Sequence, residues 1–146
     1  MAAFVAMAIV AWAGALAGPG SGTASITPSA SVAAGSDGTW SIQFTAAEPM
    51  QNGQLQVTIP NGWTAPQSGS SSSAGYVTVS TNQPSATPLL SVGGQVVTID
   101  VDTLSVGNTV TLKYGDDSIS SNGRASAAST VGPYSFVIES DPTGTN

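Results

Sequence analysis

Two pairs of carboxylates have the residue types and spacing for acid–base or metal chemistry: Asp100 with Asp102, and Asp116 beside Asp117. Asp100 and Asp102 lie two positions apart in an alternating run, so a strand places both on one face. A glycosidase could use two such acids if one were withdrawn from water by burial. With Val97, Ile99 and Val101 turned inward, however, both aspartates belong to a solvated strand face. Asp116 and Asp117, with Ser118 and with Asp100 or Asp102 nearby, could offer oxygens to calcium, which takes about six to eight of them. No Asp-x-Asp-x-Asp-Gly loop surrounds them, and adjacent acids in a loop are common without metal. Asp37, in Gly35-Ser-Asp-Gly38, reads as a turn former.

The rest of the inventory excludes most catalytic machinery. The chain has no histidine and no cysteine, and Lys113 and Arg124 are its only basic residues. Ser-His-Asp, Cys-His and His-metal hydrolysis are therefore excluded, and disulfides and cysteine-ligated zinc with them. The expectation is a protein without catalytic residues and without a cofactor, calcium at Asp116 and Asp117 being the single metal option. For a ligand, the aromatics offer one possibility. Trp63 and Tyr76 flank a Ser-rich stretch, where two rings could form a platform for a polysaccharide. The competing reading puts Trp63 at one end of the core, because a buried ring removes a large apolar area from water. Trp40 belongs to the core, since it alternates with Ile42 and Phe44.

The elements that must carry these residues are strands. From Ala24 onward, alternating runs are separated by turn residues every 8 to 15 positions or so, the pattern of an all-β sandwich or barrel. Seven candidates stand out: Ala24–Thr27, Thr39–Thr45, Leu55–Ile59 after a Met50-Gln-Asn-Gly53 turn, Tyr76–Ser80, Gln95–Val101, Thr109–Tyr114 and Pro133–Glu139. Each presents one apolar face, which two packed antiparallel sheets would satisfy. A parallel sheet needs long crossovers, usually helical, and no helical pattern is present in the body. Residues 66–75, with four consecutive serines, read as a mobile loop, and Pro84 and Pro88 mark a further connection.

Ahead of the body lies an apolar run, Ala2 to Ala17, with the length and small residues of a signal-peptide core. It ends in Ala15-Leu16-Ala17, so cleavage before Gly18 is expected. Other readings are a retained segment, helix or strand, that packs against neighbouring copies, and a short membrane anchor with Gly18 to Gly22 as hinge. The expected organisation is residues 1–17 as leader, assembly segment or anchor, 18–23 as a Gly-rich hinge, 24–140 as the sandwich domain and 141–146 as a flexible tail. Of 146 residues only 7% are charged, and the formal charge of -6 repels phosphate backbones and anionic headgroups. Nucleic acid is excluded as a partner, and a membrane enters only through residues 1–17. Missing cysteines and missing Asn-x-Ser/Thr acceptors point to a prokaryotic source.

Two segments carry a family likeness: Val57-Thr-Ile-Pro-Asn-Gly-Trp63, a strand, a turn and a large aromatic, and Leu104-Ser-Val-Gly-Asn-Thr-Val-Thr-Leu-Lys-Tyr-Gly115, a tight turn opening a strand. Over roughly Ala24 to Ser140 the chain resembles the immunoglobulin-like β-sandwich modules of bacterial secreted and cell-surface proteins. The resemblance implies an antiparallel sandwich of about seven strands, here preceded by an apolar helical segment. It also implies an extracellular or cell-surface, non-enzymatic structural or adhesion role, with other copies or neighbouring surface proteins as partners. The alternatives are a subunit of a pilus-like filament assembled through its N-terminal segment, and a carbohydrate-binding module. An apolar N-terminal segment and a hydroxyl-rich strand edge with almost no lysine leave subunit-to-subunit strand addition open.

Overall fold

The computed structural model describes residues 4–9, 21–29 and 31–144. They form an all-β structure whose strands are, in chain order, β1 (Phe4–Ile9), β2 (Gly22–Thr27), β3 (Val32–Ala33), β4 (Asp37–Gly38), β5 (Trp40–Ala46) and β6 (Met50–Thr58), then β7 (Val77–Thr81), β8 (Leu89–Gly93), β9 (Val96–Leu104), β10 (Thr109–Tyr114), β11 (Ala125–Ser126) and β12 (Pro133–Asp141). A single 3-10 turn, Ser121–Gly123, interrupts them. All seven strands read from alternation are present, as β2, β5, β6, β7, β9, β10 and β12, with ends shifted by a few residues.

Strands β2-β5-β10-β7 make a four-stranded antiparallel sheet, and β3-β1-β12-β6-β9-β8 a six-stranded one; β11 pairs with β4 apart from both. Alternation decides which side is wet. In β5 the residues Trp40, Ile42 and Phe44 are buried while Gln43 is exposed, and in β10 Val110, Leu112 and Tyr114 point the same way. In the larger sheet Leu55 and Val57, Val97, Ile99 and Val101, and Phe136 and Ile138 supply the facing half. These residues join in one apolar cluster, so the two sheets share a core in a sandwich-like arrangement. Removing a Leu-, Ile- or Val-sized side chain from water contributes roughly 1.5–3 kcal/mol. This continuous interior therefore does the stabilising that disulfides do in many exported domains.

Four features differ from the sequence reading. A helix was expected for the apolar N-terminal segment, but Phe4–Ile9 is a strand, antiparallel to β3 on one side and parallel to β12 on the other. An unbroken apolar run has no period that separates strand from helix, so the pattern is compatible with either. The cleavage site before Gly18 and the hinge at 18–20 lie outside the described residues. The Met50–Gly53 turn is instead the first part of β6, with Met50 in the core opposite Leu104 and the left-handed Asn52 (φ 53°) absorbing the irregularity. The connection marked by Pro84 and Pro88 is followed by the edge strand β8, which pairs with β9 across the Gly94-Gln95 turn. The tail is held as far as residue 144. Asp141 is buried, its Oδ1 accepts from the Thr143 amide at 2.9 Å, and the Gln51 amide donates to the Pro142 carbonyl at 2.9 Å.

Candidate functional site

The chain's ionic chemistry is concentrated where β10 ends. Gly115 follows Tyr114 with φ +74°, and its backbone is close enough to Ala125 and Gly38 that a Cβ would strike them, so only glycine lets the loop turn here. The turn delivers Asp116 beneath the sheet edge, where it is 4% exposed. Its Oδ2 accepts from Thr78 Oγ1 at 2.7 Å, its Oδ1 accepts from the Ser118 amide at 3.0 Å, and Lys113 Nζ stands 3.2 Å from Oδ1. Burial opposes ionisation, but the hydrogen bonds from Thr78, Ser118 and Lys113 outweigh it and bring the carboxyl down to about 2. Asp117 faces outward and accepts from Arg124 Nε at 2.9 Å, which lowers its pKa too, chiefly through that hydrogen bond.

Both basic residues of the chain are thus engaged by the two adjacent aspartates. That geometry is a clasp tying β10, β7 and the segment before β11. Calcium at Asp116 and Asp117 would have to compete with Lys113 and Arg124, and among the described residues no group of three or more His, Cys, Asp or Glu side chains is placed to hold a metal ion. The roles of Thr78 and Lys113 were not read from the sequence. The signal was available: the only lysine lies three residues before the only adjacent pair of acids.

Trp63 does not form a sugar platform, because it is only 4% exposed. Its ring stands edge-on to Trp40, with centroids 4.9 Å apart, and to Phe136 at 5.0 Å, and Tyr134 covers it at 6.1 Å. Tyr76 is half-buried, and its backbone pairs with Gln67 and with Gly123. Tyr114 completes the aromatic group beside Trp40 and Phe136, and its hydroxyl donates to the Thr64 carbonyl, with burial holding the phenol in its neutral form. Trp63 therefore closes one end of the core.

The Ser-rich loop expected to be mobile is organised by one amide. Gln67 Nε2 donates to the carbonyls of Ser70 and Ser73 at 2.8 and 2.9 Å, while its Oε1 accepts from the Gly69 and Ser70 amides, both at 2.9 Å. Gly75 closes the loop at φ +79°, with its Cβ position against the Ala65 carbonyl oxygen. Each exposed hydrogen bond contributes at the low end of the usual ~0.5–1.5 kcal/mol. Gln67→Ala is therefore expected to cost about 1–2 kcal/mol in urea unfolding and to open residues 68–74 to limited proteolysis. An unchanged cleavage rate would show that this amide does not hold the loop.

Asp100 and Asp102 do share one face of β9, as alternation requires, and both are exposed. Asp100 Oδ1 accepts from Gln54 Nε2 at 2.9 Å, and Asp102 Oδ1 accepts from the Thr87 and Thr103 amides at 3.2 and 2.9 Å. They border a shallow cleft of about 220 Å³ with Asn52, Gln54, Thr87 and Leu89. A glycosidase acid needs a carboxyl taken out of water, and neither of these is. Asp37 accepts from Ser126 Oγ at 2.6 Å and so ties β4 to β11. Comparison with known proteins adds no assignment: no protein-family model, curated protein or solved structure matches this chain.

Proposed function

We propose that the chain is a non-enzymatic structural or adhesion module, secreted or displayed on a cell surface, built as an immunoglobulin-like sandwich. The observation that carries this reading is the make-up of the outer sheet faces. Across the four-stranded sheet, register aligns Thr23, Thr45 and Thr109 in one row and Ser25, Gln43, Thr111 and Ser80 in the next. The larger sheet adds Gln56 and Thr98 opposite each other. These are short neutral hydroxyls and amides on a rigid scaffold, suited to durable contact with water or with other neutral polar surfaces. The antiparallel four-stranded sheet β2-β5-β10-β7, sharing one apolar core with the larger sheet, supports the sandwich part of this reading.

Antibody labelling of intact cells that make the protein tests the location. Full labelling without permeabilisation is the expected result, and signal that needs permeabilised cells would refute surface display. A glycan panel tests the chemistry: no turnover is expected, whereas hydrolysis that Asp100→Asn abolishes would overturn the non-enzymatic reading.

A further inference from the structure

One strand of the larger sheet is attached differently from the rest. β3 reaches that sheet only through β1, with Phe4 opposite Ala33 and Val5 opposite Val32. The other edge of β1 runs parallel to the start of β12, in the register Ala6–Pro133, Met7–Tyr134, Ala8–Ser135 and Ile9–Phe136. β1 thus fills a slot whose walls are β3 and β12. Val32 and Tyr134, on those two walls, pack against the shared core. The ladder is short: β1 meets β12 over Ala6–Ile9 alone, whereas β6 and β9 run together from Met50 to Thr58. β1 is also the strand farthest from the rest in sequence. Twelve residues, 10–21, separate it from β2, and they include Gly14, Gly18, Pro19 and Gly20. Fully extended, such a connection reaches up to about 40 Å.

We propose that the slot between β3 and β12 is a strand-accepting site, and that its partner is β1 of a second copy of this chain. The inference deepens the structural-module reading and rests on it. The strand seated in the slot is itself the ligand, so every copy carries both the site and its occupant. Neither the strand nor the facing segments, Val32–Ala33 and Pro133–Phe136, contains a charged residue, so the chain's net negative charge places no like-charge pair at the junction. The main-chain hydrogen bonds are the same whether β1 comes from its own chain or from a neighbour. Only the covalent connection differs, and the balance follows the effective concentration that this connection sets. Exchange in trans is a heterologous contact: strand on one surface, slot on another. Repeated from copy to copy without closure, it builds linear chains.

The natural chain lacks cysteine, which makes the test clean. Ala8 and Ser135 are register partners, and neighbouring strands place such Cα atoms about 5 Å apart, inside the range a disulfide spans. One full-length preparation carries Ala8→Cys. A second, enlarged by a fusion tag so that mixed dimers run apart, carries Ser135→Cys. Mixed at high concentration and oxidised, they are expected to give a reducible mixed dimer at least tenfold more abundant than Ala8→Cys gives with a tagged Ser91→Cys control on β8. A mixed dimer no more abundant than that control overturns the proposal, and the Ala8→Cys/Ser135→Cys double variant then says why. An internal bridge in it means that each slot holds its own strand, and no bridge means that β1 does not occupy the slot. Surface labelling of intact cells is unaffected by either result, so failure here leaves the structural-module reading to stand or fall separately.

Discussion

Trp63→Ala is expected to remove about 3–5 kcal/mol of stability, the range for emptying a buried aromatic site, as a fall in the urea midpoint with little change in slope. The magnitude follows from position. Trp63 enters the core from a Pro60-Asn-Gly62 turn and stands edge-on between Trp40 and Phe136, with Tyr134 above it. Its loss opens a void at the end of the sandwich that rings on both sheets border, and rigid strands cannot close over a hole of that size. Each aromatic pair adds roughly 0.5–1.5 kcal/mol beyond area burial, so Trp63→Phe should recover more than half of the loss by keeping the edge-to-face contacts. A loss below about 1 kcal/mol for Trp63→Ala would place the ring outside the core and return it to consideration as a ligand platform.

The same residue shows how far the sequence could be read. Alternation identifies a strand because a pleated chain has period two, and Trp40-x-Ile42-x-Phe44 and Val110-x-Leu112-x-Tyr114 are buried on that period. Loop aromatics obey no period. Trp63 follows a turn, so its burial depends on rings brought from β5 and β12, far away in the chain. The clasp is hidden for a similar reason. Lys113 and Asp116 are close in sequence, but the third member, Thr78, lies 38 residues from Asp116 and arrives only because β7 pairs with β10. Loop order is the hardest case: a run of serines has the composition of a flexible segment, and the single Gln67 amide that organises it carries no compositional signal.

The edges were less legible than the centre. β3, β4 and β11 are two residues long, too short for any period to register. β8 was obscured by Pro84 and Pro88, which mark the connection but lie outside the strand itself. β1 has the reverse problem. An apolar run without polar alternation is shared by signal peptides, buried helices and strands buried on both faces, and sequence pattern alone does not separate them. In the folded chain Phe4–Ile9 takes its register from β3 and β12, a pairing that the composition of the run does not encode.

The clasp makes the second large prediction, and its sign is fixed by the direction of the shift. Asp116 falls from an ordinary 3.8 to about 2 on folding. A carboxyl whose pKa is lowered by folding stabilises the native state fully above its unfolded value, and that contribution is lost as the pH drops through the folded one. At about 1.36 kcal/mol per unit the contribution is about 2 kcal/mol at neutral pH, present above about pH 4 and lost progressively toward pH 2. Asp116→Asn replaces an acceptor with an amide that cannot neutralise Lys113, and half of the amide confronts donors with a donor. The variant is expected to be about 2–3 kcal/mol less stable at pH 7. Its deficit should shrink as unfolding is followed from pH 4 down to pH 2, where the native carboxyl also becomes neutral. Asp117→Asn, at an exposed ion pair, should change stability by less than about 1 kcal/mol. If Asp116→Asn and the native chain lose stability in parallel across that interval, then Asp116 is not held by Thr78, Ser118 and Lys113, and the clasp at the end of β10 does not exist.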